Sequence, residues 1–566
     1  MIIYLKSDSE RDNMSKSFRP VDYQKPLPAS EIIIKEPPSA DSVAFDVVFV
    51  GAGPASLGGA IQLAKLIREE NEKSGGKLGE INIGVLEKSS EIGGHILSGA
   101  VIKPGPFQEL FPELKIDELP FSAPVREEKV YFLTEKKAFK IPTPPPMNNH
   151  GNYIASLCEV TRWLAKKAEE LGVQVFTGFP VKGLLVQDNT VIGVRTTESG
   201  LDHDGNQMPS YQPPADVTAK VVVLGEGTRG MLSQAYLEWQ GIKSPNPQIF
   251  ALGVKELWQT KTPLGYVVHS MGWPLKSDEF GGSFMYPLEK NVVAIGLVVG
   301  TDYHDANLDP HYLFQKMKTH PLFREVLEGG EMLEWGAKTI PEGGYYSIPE
   351  RLSGDGLVII GDSAGFVDVP SLKGVHYSLS SGMDAARTIF AALKKNRFDE
   401  ETLSEYDKAI RSSFITQDLW KTRNMRLAFK NGLYAGGIKA GLMTLTGGKF
   451  PGGMIRMEKD NQAERISSED SAFVPDGKLT FSKVEGVYKS GNATRDSIPS
   501  HLLAVEDVSP EVAKFYANLC PAGVYEVIDG KLRINAPNCI DCKATDILAA
   551  RWTPREAGSG PRYKKM

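Results

Sequence analysis

The chain has 566 residues and a mass of 61.9 kDa, which at roughly 100–200 residues per unit predicts about three to five domains and a large core. Apolar residues make up 41%, charged residues 24% and the net charge is −6, an ordinary globular profile that excludes a nucleic-acid-binding reading based on bulk charge. No stretch nears the roughly 18 uninterrupted apolar residues of a spanning helix, and mean hydropathy is −0.22, so only peripheral membrane attachment stays open. The first residues, with Asp8, Glu10, Arg11 and Asp12, form neither a secretory nor an acid-poor transit pattern, and the expectation is a protein that stays where it is made.

Residues 1–40 are polar and punctuated by Pro20, Pro26, Pro28, Pro37 and Pro38, which reads as a surface arm, and Met14 is an alternative start. From Asp46, DVVFV is a short apolar strand that passes through GAGPAS into an amphipathic helix. A charged insertion delays the next strand, INIGVLEK, which ends at Glu87. The helix VTRWLAKKAEELG leads to VQVFTG, and AKVVVLGEG and GLVIIGD are two further buried strands. Strands alternating with helices predict a parallel α/β sheet. Because these pieces lie far apart, a shared sheet requires a discontinuous first domain, with an antiparallel sheet built from the stretches between, NVVAIGLVVG among them. After about residue 385 the chain reads as helical, and beyond Phe473 as short strands with frequent turns.

Gly51 and Gly53 follow a strand and open a helix, the context a dinucleotide fingerprint requires. Gly51 permits the tight turn and Gly53 lets backbone amides approach a pyrophosphate at the positive helix end. Ser56 stands where a third small residue is usual. Glu87 lies 36 residues after Gly51, and its carboxylate can accept a bond from ribose. The same pattern also fits a glycine turn with no ligand. Gly361 and Asp362 end another buried strand before a Gly-rich loop, where a carboxylate can hold a ribityl hydroxyl of FAD. A helix starting near Gly374 can stabilise negative charge on a reduced isoalloxazine. Together with LGEG at Gly225–Gly227 these features favour FAD over a nicotinamide. His376, in the same loop, has no evident acid–base partner and reads as packing.

Near the C-terminus Cys520, Cys539 and Cys542 can present three thiolates to a metal. Zinc accepts thiolates too, but beside a flavin a one-electron iron–sulfur relay makes better chemical sense. A further C-x-x-C step would need cysteine at 545, which is Thr545, and Cys158 sits in an apolar stretch that suits a buried core residue.

The stretches VFVGAGPASL, EIGGHILSGAVIKPG, PMNNHGNYI, LGVKELW, GGSFMYPL, GLVVGTDY, DSIPSHL, CPAGVYE and INAPNCIDC make the chain resemble the electron transfer flavoprotein–ubiquinone oxidoreductase family from about Asp46 to Met566. That resemblance implies a monotopic membrane enzyme with FAD and one [4Fe–4S] cluster that takes electrons from electron transfer flavoprotein and reduces a quinone. It implies a discontinuous Rossmann-like FAD-binding domain of the glutathione-reductase type, an antiparallel-sheet quinone-binding domain and a small ferredoxin-like iron–sulfur domain. The expected organisation is an arm over 1–40, FAD-binding residues 41–265 and 351–395, quinone-binding residues 266–350, a helical segment 396–470 and the iron–sulfur domain 471–566. Gly51, Gly53, Glu87 and Asp362 then map to FAD, and Gly281 and Gly282 to quinone contacts; the alternative for the last pair is a plain hairpin.

Thr545 departs from the family's four cysteines. The cluster can persist as [4Fe–4S] with oxygen from Asp546, Thr545 or solvent, become [3Fe–4S], or be lost. A cluster-deficient FAD reductase of the geranylgeranyl-reductase type is the rival enzyme reading, and a non-catalytic membrane scaffold the other. Two segments suit membrane contact: residues 431–454, apolar with only Lys439 and Lys449 charged, and the Pro-rich 138–147. The expected location is the cytoplasmic face of a bacterial inner membrane.

Overall fold

The structure is a computed structural model and describes residues 17–99, 101–468 and 473–566. Met14 and the boundary near 470 lie outside these residues. The run Val47-Val48-Phe49-Val50 is wholly buried, so the strand Val43–Val50 can sit only in the middle of a sheet covered on both faces. It is the third of five parallel strands in the order Gln174–Thr177, Ile83–Glu87, Val43–Val50, Asp216–Leu224 and Leu357–Ile359. The separated apolar runs therefore do share one sheet, and its chain is discontinuous. Asp216–Leu224 also pairs antiparallel, through its first residues, with Thr190–Thr196, which leads on to Val181–Gln187.

One face of this sheet is covered by two 21-residue helices, Pro54–Ser74 and Val375–Lys395, packed on each other. Their backbones touch where both carry glycine: a Cβ on Gly59 would stand 2.9 Å from the Gly382 carbonyl oxygen. Larger residues there would push the helices, and the turns that precede them, apart.

The second sheet has seven strands in the order Glu331–Pro341, Phe250–Gln259, Val292–Gly300, Gly281–Glu289, Val267–Gly272, Glu128–Leu133 and Ala138–Ile141. It is antiparallel except where Val267–Gly272 runs parallel to Glu128–Leu133. Strands from 128–141 and 250–259 thus join the sheet whose centre lies within 266–350. The C-terminal domain contributes the helix Pro510–Leu519, the hairpin Tyr525–Ile528 with Lys531–Ile534, and the short helix Ala544–Leu548. It shares a single apolar core with the second sheet, in which Phe515, Tyr516 and Leu519 meet Trp258, Ile295 and Trp335.

The N-terminal arm is more than a surface strap. Ile32 and Ile33 are buried, and Ile33–Ile34 adds a parallel edge strand beside Leu184–Leu185, because an apolar pair at an open sheet edge gains both burial and backbone pairing. The described part of the arm also reaches the C-terminal domain, where Gln24 Nε2 donates to the Asp546 carbonyl.

Candidate functional site

A cavity of about 360 Å³ opens where both sheets meet the C-terminal domain. Gly51, Gly53 and Glu87 line one end; Asp362, Gly374 and Ser378 follow; Phe284, Tyr286 and Val298 of the second sheet form another wall; and Lys543 and Trp552 come from the C-terminal domain. Gly51 has φ +92°, and a Cβ there would stand 2.6 Å from the Gly225 carbonyl oxygen, so this turn accepts only glycine. The Glu87 carboxylate fixes the turn by accepting the Ala52 N–H at 2.9 Å and the Ser89 N–H at 2.9 Å. Ser56 and Gly361 stand behind the wall: Ser56 is fully buried against Gly225, and the Gly361 N–H donates to Ser381 Oγ at 3.0 Å.

The two long helices begin on this cavity at Gly53 and Gly374, and neither start has a side-chain cap. Their first amides are therefore orphan donors with positive dipole ends facing the cavity. Asp362 accepts a bond from Ser378 Oγ at 3.1 Å, and withdrawal from bulk water raises its carboxyl to about 6, with Ser378 and Lys338 pulling the other way. Five lysines line the cavity: Lys88, Lys255, Lys338, Lys373 and Lys543. Burial lowers Lys255, Lys338 and Lys373 to about 8, and an anionic occupant would reinforce their charged form. Uncapped helix starts, cationic walls and an apolar middle fit a dinucleotide flavin. His376 lies off the cavity, buried and tilted against Tyr377 with ring centroids 4.0 Å apart.

Cys520, Cys539 and Cys542 are buried together. Each thiol faces backbone N–H groups: Ala522 and Val524 for Cys520, Asp541 at 3.5 Å for Cys539, and Ala544 for Cys542. Burial pushes the Cys539 thiol up to about 12 and Cys542 also upward, with the other two cysteines adding to the latter. Burial and the neighbouring cysteines oppose ionisation of these thiols, a cationic centre between them would favour it, and the surrounding amides suit sulfur ligands of such a centre. The donor set fits an iron–sulfur cluster at three corners. Thr545 and Asp546 follow on the helix Ala544–Leu548. Cys158 lies apart, with its thiol donating to the carbonyls of Ile96 at 3.2 Å and Met566 at 3.1 Å.

The residues joining the two sites went unread in the sequence. Asp541, inside the C-x-x-C step, has a side chain only 1% exposed, paired with Lys88 at 2.7 Å and Arg555 at 2.9 Å, and it accepts from Trp552 Nε1 at 3.0 Å. Lys338 donates to the Asp541 carbonyl at 3.0 Å. Thr339, on the cavity wall, donates its N–H to the Cys542 carbonyl at 3.0 Å. The one local signal was a charged residue between two cysteines that need burial.

Gly281 and Gly282 do not line this cavity, although Phe284 and Tyr286 of the same strand do. A Cβ on Gly282 would stand 2.6 Å from the Ser270 carbonyl oxygen, so close strand packing already demands glycine there. No helix among the described residues is long and apolar enough to cross a membrane. The helix Leu433–Leu445 instead presents Tyr434, Ile438, Leu442 and Leu445 along one exposed face, with Phe139 of the other candidate segment also exposed.

Comparison with known proteins gives the following. Residues 250–340 match the family described as ETF-QO, ubiquinone-binding, and residues 477–564 the one described as electron transfer flavoprotein-ubiquinone oxidoreductase, 4Fe-4S. The mitochondrial electron transfer flavoprotein-ubiquinone oxidoreductase of Arabidopsis thaliana is 38% identical over 552 residues, covering 93% of this chain and 85% of that protein. The probable electron transfer flavoprotein-ubiquinone oxidoreductase of Acinetobacter baylyi is 35% identical over 578 residues, covering 93% and 99%. A geranylgeranyl bacteriochlorophyll reductase-like protein from Thermoplasma acidophilum shares the fold at TM-score 0.53 and 17% identity, covering 73% of this chain and 98% of that one.

Proposed function

This chain belongs to the electron transfer flavoprotein–ubiquinone oxidoreductase family, accepting electrons from reduced electron transfer flavoprotein and reducing ubiquinone to quinol, and we propose that both electron exchanges run through the flavin site described above, with the quinone beside it. FAD would supply two-electron storage there and an iron–sulfur cluster single-electron transfer. In this reading the amides at Gly51 and Gly53 hold the FAD pyrophosphate, Glu87 the ribose and Asp362 a ribityl hydroxyl, while the helix start at Gly374 faces the isoalloxazine. Cys520, Cys539 and Cys542 hold the cluster. Gly281 and Gly282 offer backbone N–H groups to a quinone oxygen.

The rest of the chain positions these groups and keeps water out. Asp541, Lys88 and Arg555 clamp the cysteine loop to the flavin domain, and Trp552 closes the wall between them. A lipid-soluble substrate requires a cavity near acyl chains, and the exposed face of Leu433–Leu445 together with Phe139 supports peripheral membrane contact. We place the protein on the cytoplasmic face of a bacterial inner membrane; the Acinetobacter relative supports this only in being bacterial. The geranylgeranyl-reductase alternative is left with fold likeness alone.

The observation that carries this reading is Thr339, which lines the cavity and hydrogen-bonds the carbonyl of Cys542. The test is the holoenzyme on vesicles containing ubiquinone, supplied with reduced electron transfer flavoprotein. Quinol should accumulate, and Gly51→Ala protein should purify without flavin absorbance. Oxidation of the donor with quinone left untouched would refute the terminal step.

A further inference from the structure

A [4Fe–4S] cluster carries an external ligand at each of four irons, usually a thiolate, and among the described residues the cluster site brings together three. Which group faces the last iron follows from the helix Ala544–Leu548, which begins two residues after Cys542. Thr545 and Asp546 are consecutive on it, so their side chains leave the axis about 100° apart and cannot both face the thiols. Asp546 is engaged elsewhere: Oδ2 accepts from Arg229 Nε at 2.8 Å, and Oδ1 accepts from the Trp552 N–H at 3.1 Å with Arg551 4.0 Å away. Swinging it toward the cysteines would break a buried ion pair. Thr545 is itself buried on this helix and lies beside the buried Tyr525 phenol, which also neighbours Cys520, Cys539 and Tyr516. His501 comes within 4.8 Å of Cys539 Sγ and an Asp541 oxygen, which sets it beside a corner already supplied with a thiolate.

We infer that the cluster is held by three thiolates, Cys520, Cys539 and Cys542, with its fourth iron against the Thr545 hydroxyl and therefore exchangeable. The inference rests on the cluster reading above. A neutral hydroxyl is a hard donor without the charge or softness of a thiolate, so it holds iron in a sulfide cage weakly. One-electron oxidation of a [4Fe–4S]2+ cluster by ferricyanide would then yield [3Fe–4S]+ and one Fe2+, together +3, and the electron removed reduces ferricyanide to ferrocyanide, so that charge balances.

The test uses anaerobically reconstituted holoenzyme, one equivalent of ferricyanide and a ferrous chelator, with released iron and low-temperature electron paramagnetic resonance as readouts. Wild type should release iron and give the resonance of an oxidised three-iron cluster. Thr545→Cys should release iron roughly tenfold or more slowly and lack that resonance, Thr545→Ala should release at least as fast as wild type, and Asp546→Asn should match wild type. Wild type that retains all its iron as Thr545→Cys does would overturn the inference, and so would release altered by Asp546→Asn or His501→Gln but not by Thr545→Ala. Wild type lacking iron and acid-labile sulfide altogether would overturn the cluster reading itself, and this inference with it.

Discussion

Asp541 and Asp362 are both buried carboxyl groups, and their surroundings drive them in opposite directions. Burial opposes ionisation of Asp541, but Arg555, Lys88, His95 and His501 outweigh it and hold that group well below the usual carboxylate range. Asp362 has a serine hydroxyl and a more distant lysine, and its carboxyl rises from the ordinary 3.8 to about 6. In the cofactor-free protein the native state therefore keeps a proton on Asp362 that the unfolded chain releases between about pH 3.8 and 6. Stability should fall as pH rises through that window, by roughly 3 kcal/mol at full extent. Flavin affinity should move the other way, because the ionised carboxylate is the better acceptor for a ribityl hydroxyl. Asp362→Asn should flatten both profiles, measured by denaturant midpoints of the apoprotein and by flavin titration across the same range. A wild-type affinity that does not change with pH would remove Asp362 from the flavin contacts.

The elements show why part of this was legible in the sequence. Gly51, Gly53, Glu87, Asp362 and Gly374 each sit at the end of an apolar run or the start of a long helix, so local order alone marks them. Lys88 and Asp541 are separated by 453 positions, and no local pattern announces their pairing. The Gly281–Gly282 pair, which the structure places at the start of a strand, was ambiguous because close strand packing and an offered N–H both call for glycine. The helix Leu433–Leu445 was visible as an apolar, small-residue stretch, but only the fold reveals which side is free. Met443 and Gly436 face inward, while Ile438 is 68% and Leu445 84% exposed. Replacing Ile438 and Leu445 by Asp removes large apolar groups from the face proposed to meet lipid, at about 2 kcal/mol each. Partition onto anionic vesicles, read by co-sedimentation, should weaken by roughly 30-fold for each replacement and up to roughly 1,000-fold for the pair, with the thermal transition unchanged. Undiminished vesicle binding by the double variant would assign the face to another role.

At the scale of the whole molecule, the flavin sheet has its own core, whereas the quinone sheet and the cysteine domain share one. Cys520, Cys539 and Cys542 belong to the same buried cluster as Trp258, Ile295 and Trp335, and Gly486 of the C-terminal domain lies flat on the Trp335 ring, where a Cβ would stand 2.7 Å away. The strand Glu331–Pro341 is the seam: Lys338 and Thr339 bond the carbonyls of Asp541 and Cys542, and on the other side the strand pairs with Phe250–Gln259 along its length. Losing the metal centre would leave three thiols without the charge that organises their loop, and the slackening should spread through this seam into the quinone sheet. Hydrogen exchange on holoenzyme and on protein stripped of iron should show amides of 335–340 and 510–519 exchanging roughly tenfold faster or more after stripping. Amides of 47–50 and 83–87, in the separate flavin core, should keep their protection. Exchange confined to 520–545 would mean that the cysteine loop loosens alone and that the quinone sheet stands without it.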